Sequence, residues 1–99
     1  MEHTISLTEE QLQERYLEDH IQVVQAQAFL MKKSLDSNNL RDALKFSSTM
    51  LGELKTSKLS PRNYFNLYML VFDELALLEA YFIEEQKKGR KMADLYESV

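Results

Sequence analysis

Apolar residues recur every three or four positions along most of this chain. Leu17, Ile21, Val24, Ala28, Met31 and Leu35 are spaced by 4, 3, 4, 3 and 4 residues. That rhythm puts them in one stripe of an α-helix, at the a and d positions of a heptad, and predicts a first helix over about 9–35. Thr8 with Gln11 reads as a capping box at its start, and Ser6 with Glu9 is a second candidate. Asp36-Ser37-Asn38-Asn39 is a cluster of helix-breaking residues and ends it.

A second helix is predicted over 40–56, with Asn38 or Asn39 as N-cap. Its main stripe is Leu40, Ala43, Leu44, Ser47, Leu51 and Leu54, and Phe46 with Met50 forms a second apolar edge. Gly52 costs about 1 kcal/mol relative to alanine inside a helix; it either permits close helix approach or is simply tolerated. A third helix is predicted over 61–88. Ser60 is its N-cap, Pro61 takes the first helical position, where its missing N–H costs nothing, and Gly89 suits the left-handed residue after the last turn. Its apolar residues fall on nearly every side, the mark of a helix covered by several neighbours. A fourth helix is expected to start over 92–99, and residues 1–7 are expected to be disordered.

No strand alternation and no hairpin turn signal interrupts this pattern, so the chain reads as all-α. Short loops make neighbouring helices antiparallel. A closed bundle needs one apolar face per helix, whereas the second helix here has two apolar edges and the third is apolar on nearly every side. The pattern therefore predicts antiparallel helical hairpins of a HEAT-like α-solenoid, in which each hairpin packs on the next, with three full helices plus the start of a fourth.

Composition narrows the chemistry. With 99 residues the chain suits one domain or part of a larger one. It has no cysteine, which excludes disulfides, thiolate metal sites and a cysteine nucleophile. The net charge of −4 argues against nucleic acid as a partner. From Tyr64 to Ile83 sixteen of twenty residues are apolar, but Asp73, Glu74 and Glu79 would each cost roughly 2.5–3.5 kcal/mol at mid-membrane, so the segment reads as a packed helix. His3 and His20 are the only histidines; without a His-x-x-x-His pair no metal site is expected. Asp73, Glu74 and Glu79 are the one acidic set in an apolar segment, read as solvent-facing or paired groups. No phosphate loop, serine elbow or metal loop is present. No catalytic residue and no cofactor is expected.

Some short patterns resemble sorting signals: Tyr64-Phe65-Asn66-Leu67, Tyr68-Met69-Leu70-Val71 and the acidic dileucine run from Asp73 to Leu78. Such signals are read in extended form, and these fall within a helix, so they read as core. Lys87, Lys88, Arg90 and Lys91 form a basic cluster, read as a solvated helix end whose cations complement the dipole, with contact to anionic lipid as the other reading.

The block "SNNLRDALKFSSTMLGELKTSKLSPRNYFNLYMLVFDEL", followed by "KKGRKMADLYE", resembles the N-terminal region of the large scaffold subunit of retromer, the vacuolar protein sorting-associated protein 35 family. The resemblance covers about residues 26–99. It implies a non-enzymatic α-solenoid, of which residues 1–99 would be the N-terminal part. It implies a cytoplasmic complex, peripheral on endosomal membrane, that retrieves cargo from endosomes to the Golgi or plasma membrane. The N-terminal end of such a subunit binds the arrestin-fold retromer subunit, sorting nexins and a late-endosomal Rab GTPase act through the complex, and the phosphoesterase-fold subunit binds a C-terminal part absent here. The family's "PRLYL" block, tied to arrestin-fold binding, is expected a few residues beyond "DLYE" and is not in this sequence. The junction nearest to it supplies the candidate partner contacts Lys88, Arg90, Lys91, Leu95 and Tyr96. The alternative reading is a self-contained helical module with a small-ligand or lipid pocket lined by Tyr64, Phe65, Tyr68, Phe72, Tyr81 and Phe82.

Overall fold

The computed structural model describes residues 8–89, and these form three α-helices and no strand. Helix α1 spans Glu9–Asp36, α2 Leu40–Thr56 and α3 Pro61–Lys87. The expected fourth helix over 92–99 and the expected disorder of 1–7 lie outside the described residues.

Local chemistry sets each end. Thr8 Oγ1 accepts from Gln11 N at 3.1 Å, and Gln11 Oε1 accepts from Thr8 N at 2.9 Å, so two of the orphan amides of the first turn are satisfied reciprocally. After Asp36 the chain turns through Asn38, whose φ of 57° lies in the left-handed region that asparagine tolerates better than most residues. Asn39 then caps α2, its Oδ1 accepting from Asp42 N at 3.1 Å. Ser60 caps α3 through Asn63 N, with Pro61 behind it. Gly89, at φ 83°, follows the last turn of α3.

Three side-chain contacts fix the directions. His20 in α1 meets Glu53 near the end of α2, so these two helices are antiparallel. Gln13 meets Ser60 and Asn63 at the start of α3, and Tyr81 meets Asn38 at the far end, so α1 and α3 run parallel. The core lies between the three helices. Val24, Ala28, Met31 and Leu35 of α1 face Leu40, Ala43, Met50 and Leu54 of α2 and Leu67 and Val71 of α3. Ser47 is also buried; its hydroxyl donates to Leu44 O at 2.8 Å, which removes most of the cost of placing it there.

The α1 stripe is the one its spacing predicts. In α2 the inner row is Leu40, Ala43, Ser47, Met50 and Leu54, with Met50 fully buried and Leu51 40% exposed. Met50 and Leu51 thus exchange the places expected for them. The reason is angular: a 3, 4, 3, 4 step from Leu40 lands on Met50, and Leu51 is rotated a further 100°. Gly52 does not mark close helix approach either, since a Cβ there would meet nothing within 4 Å.

The larger correction concerns α3. Its apolar residues on nearly every side predicted cover by several helices; among the described residues α1 and α2 are the helices that lie against it. Leu67 and Val71 are its buried apolar residues, while Tyr64, Phe65, Tyr68, Met69, Phe72, Leu77 and Ile83 are exposed. Two heptad rows explain the pattern. Leu67, Val71, Glu74, Leu78, Tyr81 and Glu85 face inward, buried or half-buried; Phe65, Met69, Phe72, Ala76, Glu79 and Ile83 face outward and are exposed. The second row is the first displaced by two residues, about 200° around the helix.

Candidate interaction surface

Of the candidate partner contacts, only Lys88 is among the described residues. It is the C-cap of α3, its ammonium is exposed, and Nζ lies 3.9 Å from Glu85 Oε1. Arg90, Lys91, Leu95 and Tyr96 lie outside the described residues. Lys87 is also exposed and pairs loosely with Glu84 at 3.8 Å. A basic side chain in the last turn is favoured by the helix dipole, so the placement of both follows from local electrostatics alone.

The six aromatics of the alternative reading do not share a cavity. Tyr64, Tyr68 and Phe72 line an open groove of about 560 Å³ together with Ser48, Leu51 and Lys55 of α2. Tyr68 and Phe72 pack with ring centroids 4.4 Å apart. Phe65 points away from the core and is 59% exposed. Tyr81 and Phe82 sit together nearly three turns beyond Phe72, half-buried against the core, with Tyr81 Oη donating to Asn38 Oδ1 at 3.4 Å.

The sorting-signal look-alikes are helical throughout, as expected. Their placement in the core is corrected: Leu67 and Val71 are buried, but Tyr64, Phe65, Tyr68 and Met69 are exposed. Asp73 and Glu79 face outward and Glu74 is half-buried. The buried acid is instead Glu85, 4% exposed. Its position was legible as the continuation of the inner row of α3, one heptad beyond Leu78.

Two polar features escaped the sequence reading because they join residues far apart in the chain. His20 Nδ1 lies 2.8 Å from Glu53 Oε1, both partly buried between α1 and α2. Gln13 ties the start of α1 to the α2–α3 loop. Its Oε1 accepts from Ser60 N at 2.7 Å, its Nε2 donates to Lys58 O at 3.4 Å, and its backbone oxygen accepts from Asn63 Nδ2 at 3.2 Å. A cleft of about 580 Å³ beside it is lined by Glu10, Glu14, Arg62 and Asn66 among others. The hydroxyl at its edge, Ser60, is occupied as a helix cap.

Among the described residues no group of His, Asp and Glu side chains is placed to hold a metal ion. No helix among them is long and apolar enough to cross a membrane. Seven of the exposed large apolar side chains among the described residues lie on α3: Tyr64, Phe65, Tyr68, Met69, Phe72, Leu77 and Ile83.

The family model for vacuolar protein sorting-associated protein 35 matches residues 16–99. The chain belongs to this family. Vacuolar protein sorting-associated protein 35C of Arabidopsis thaliana is 55% identical over 86 residues, which is 87% of this chain and 11% of the relative. Protein 35A of the same plant is 49% identical over 87 residues, 88% of this chain and 11% of the relative. Vacuolar protein sorting-associated protein 35 of Dictyostelium discoideum is 45% identical over 94 residues, 95% of this chain and 12% of the relative. The chain thus spans about a tenth of the length of these relatives. The stretch matched to the vacuolar protein sorting-associated protein 35 family includes all of α2 and α3 and the His20–Glu53 pair. Gln13 and the Thr8 cap precede it.

Proposed function

We propose that this chain is the N-terminal part of a non-enzymatic α-solenoid scaffold in the retromer cargo-recognition complex. In this reading residues 1–99 belong to one solenoid domain. The domain acts in retrieval of membrane proteins from endosomes to the Golgi or plasma membrane, on the cytoplasmic side, as a peripheral component. Its N-terminal end meets the arrestin-fold subunit, and sorting nexins and a late-endosomal Rab GTPase act through the assembled complex. Lys88, Arg90, Lys91, Leu95 and Tyr96 are the proposed contacts.

Family membership over residues 16–99 carries the reading. The two-faced α3 supports it, because a stack of helical pairs requires inner helices that bury opposite sides. The pocket reading has no comparable support, since its six aromatics are split between two ends of α3. The test is calorimetric titration of the arrestin-fold retromer subunit into this chain and into one extended by the next helical pair. Binding to either chain, lost on reversing the charges of Lys88, Arg90 and Lys91, supports the reading. Binding to neither overturns it.

A further inference from the structure

The outward side of α2 carries positive charge in a regular row. Arg41, Lys45, Ser48, Gly52 and Lys55 follow one another at steps of 4, 3, 4 and 3 residues, the rhythm of an apolar row filled instead with cations and small residues. At about 100° per residue, Lys45 stands about 180° from the inner row of Leu40, Ala43, Ser47, Met50 and Leu54. Arg41, Lys45, Ser48 and Lys55 are all exposed. The two acids of α2 are engaged elsewhere. Asp42 Oδ2 accepts from Asn39 Nδ2 at 2.9 Å, and Glu53 Oε1 meets His20 of α1 at 2.8 Å. The ion pairs among the described residues involve neither Lys45 nor Lys55.

The row has an open seat at its centre. Gly52 has no side chain, and a Cβ there would meet nothing within 4 Å. Ser48, one turn earlier, is short and exposed. From Lys45 to Lys55 the helix rises about 15 Å, and from Arg41 to Lys55 about 21 Å. An extended chain covers that distance in about five or six residues. We propose that the outward row of α2 binds an acidic, extended segment of a partner protein. Its carboxylates meet Arg41 and Lys45 on one side of the seat and Lys55 on the other, and the Ser48 hydroxyl donates between them. A bilayer or a nucleic acid is broader than one helix of about 10–12 Å. Either would also face the acids of α1 and α3, in a chain of net charge −4; a single segment meets the row alone. The row is distinct from the surface on which a helical stack grows. Ser48, Gly52 and Lys55 border the apolar groove against α3, but Arg41 and Lys45 do not line it, and helices added beside α3 leave the side of α2 turned away from the core open. This inference goes beyond the scaffold reading and does not rest on it.

Fluorescence anisotropy tests it with a fluorescein-labelled peptide that has a pair of glutamates at each end of a serine–glycine stretch of about five residues. Saturable binding to this chain is expected, weakening at least about threefold between roughly 0.05 and 0.2 M salt. Lys45→Glu combined with Lys55→Glu should raise Kd at least about tenfold, with the helical circular dichroism unchanged because both residues are exposed. Gly52→Leu should raise Kd several-fold by filling the seat without altering charge. Arg15→Glu combined with Lys32→Glu makes the same charge change on α1 and should leave Kd within about twofold. Failure of the glutamate peptide to bind, equal binding of its glutamine counterpart, or an equal loss in the α1 variant overturns the proposal. So does retention on phosphatidylserine vesicles that depends on Lys45 and Lys55 where the peptide does not bind, which would assign the row to a membrane. The titration with the arrestin-fold subunit turns on Lys88, Arg90 and Lys91, so either result stands without the other.

Discussion

Gln13 is the side chain whose removal most directly tests how α1 is joined to the rest of the fold. Its amide group holds the α2–α3 loop from both sides, accepting from Ser60 N at 2.7 Å and donating to Lys58 O at 3.4 Å. The first of these is short and part-buried, the second long and exposed. Gln13→Ala removes both and leaves the Ser60 amide without its acceptor at a site too enclosed for full hydration. An amide stranded in this way costs about 1–3 kcal/mol when fully buried, and partial burial sets the expectation near the lower half, about 1–2 kcal/mol. For a domain of this size each kcal/mol moves Tm by about 4–8 °C. Gln13→Glu keeps an oxygen facing Ser60 N, places negative charge near the positive end of α3 and loses only the weaker bond to Lys58, so it should cost less than half as much. Urea unfolding followed by circular dichroism, at one fixed low protein concentration so that self-association does not enter, gives both values. Hydrogen exchange at the Ser60 amide gives the local readout, which should accelerate in Gln13→Ala alone. If Gln13→Ala and Gln13→Glu cost the same, or if Ser60 exchange does not change, the short hydrogen bond is not what holds the two segments together.

Other substitutions probe the core, the caps and the inter-helix pair. Met50→Ala should cost about 2–5 kcal/mol and Leu51→Ala less than about 1 kcal/mol, in urea unfolding; the reverse order would restore the row with Leu51 inside. Asn39→Ala should cost about 1 kcal/mol through loss of the α2 cap, while Asn38→Gly should be neutral or stabilising because of the positive φ. A double-mutant cycle on His20→Ala and Glu53→Ala should return a coupling of about 0.5–1 kcal/mol, and zero coupling would make the 2.8 Å contact incidental.

The caps were legible in the sequence because they are local: Thr8 with Gln11, Asn39 with Asp42 and Ser60 with Pro61 each act within one turn. The inner row of α1 was legible because the residues between its members are mostly polar. Phe46, Met50 and Leu51 blur that contrast in α2, and periodicity alone cannot choose between Met50 and Leu51 when both are apolar. Gln13 with Ser60 and His20 with Glu53 pair across loops, and nothing in a single sequence marks which distant polar group will answer them. Of the proposed partner contacts only Lys88 has a described position, at a helix end where a lysine is expected for reasons of charge alone.

The outer faces of α1 and α3 differ in a way that bears on how helices add to this fold. Along α1 the exposed side carries Glu10, Glu14, Glu18, Gln22 and Gln25, with Tyr16, Val23, Phe29 and Leu30 among them, Phe29 being 61% exposed. Polar residues are most of that face in its first half, and Phe29 with Leu30 forms an apolar pair near its end. Along α3 the outer row returns an apolar residue at nearly every heptad position, interrupted only at Glu79. A polar outer face is what the end of a helical stack needs, and a second apolar row is what its interior needs. The more continuous apolar row on α3 favours the addition of helices on that side. The same asymmetry argues against a closed three-helix bundle, which would leave the outer row of α3 without a purpose. It also explains why the sequence predicted a deeply covered α3: the residues encode two buried faces, and α1 and α2 supply cover for one.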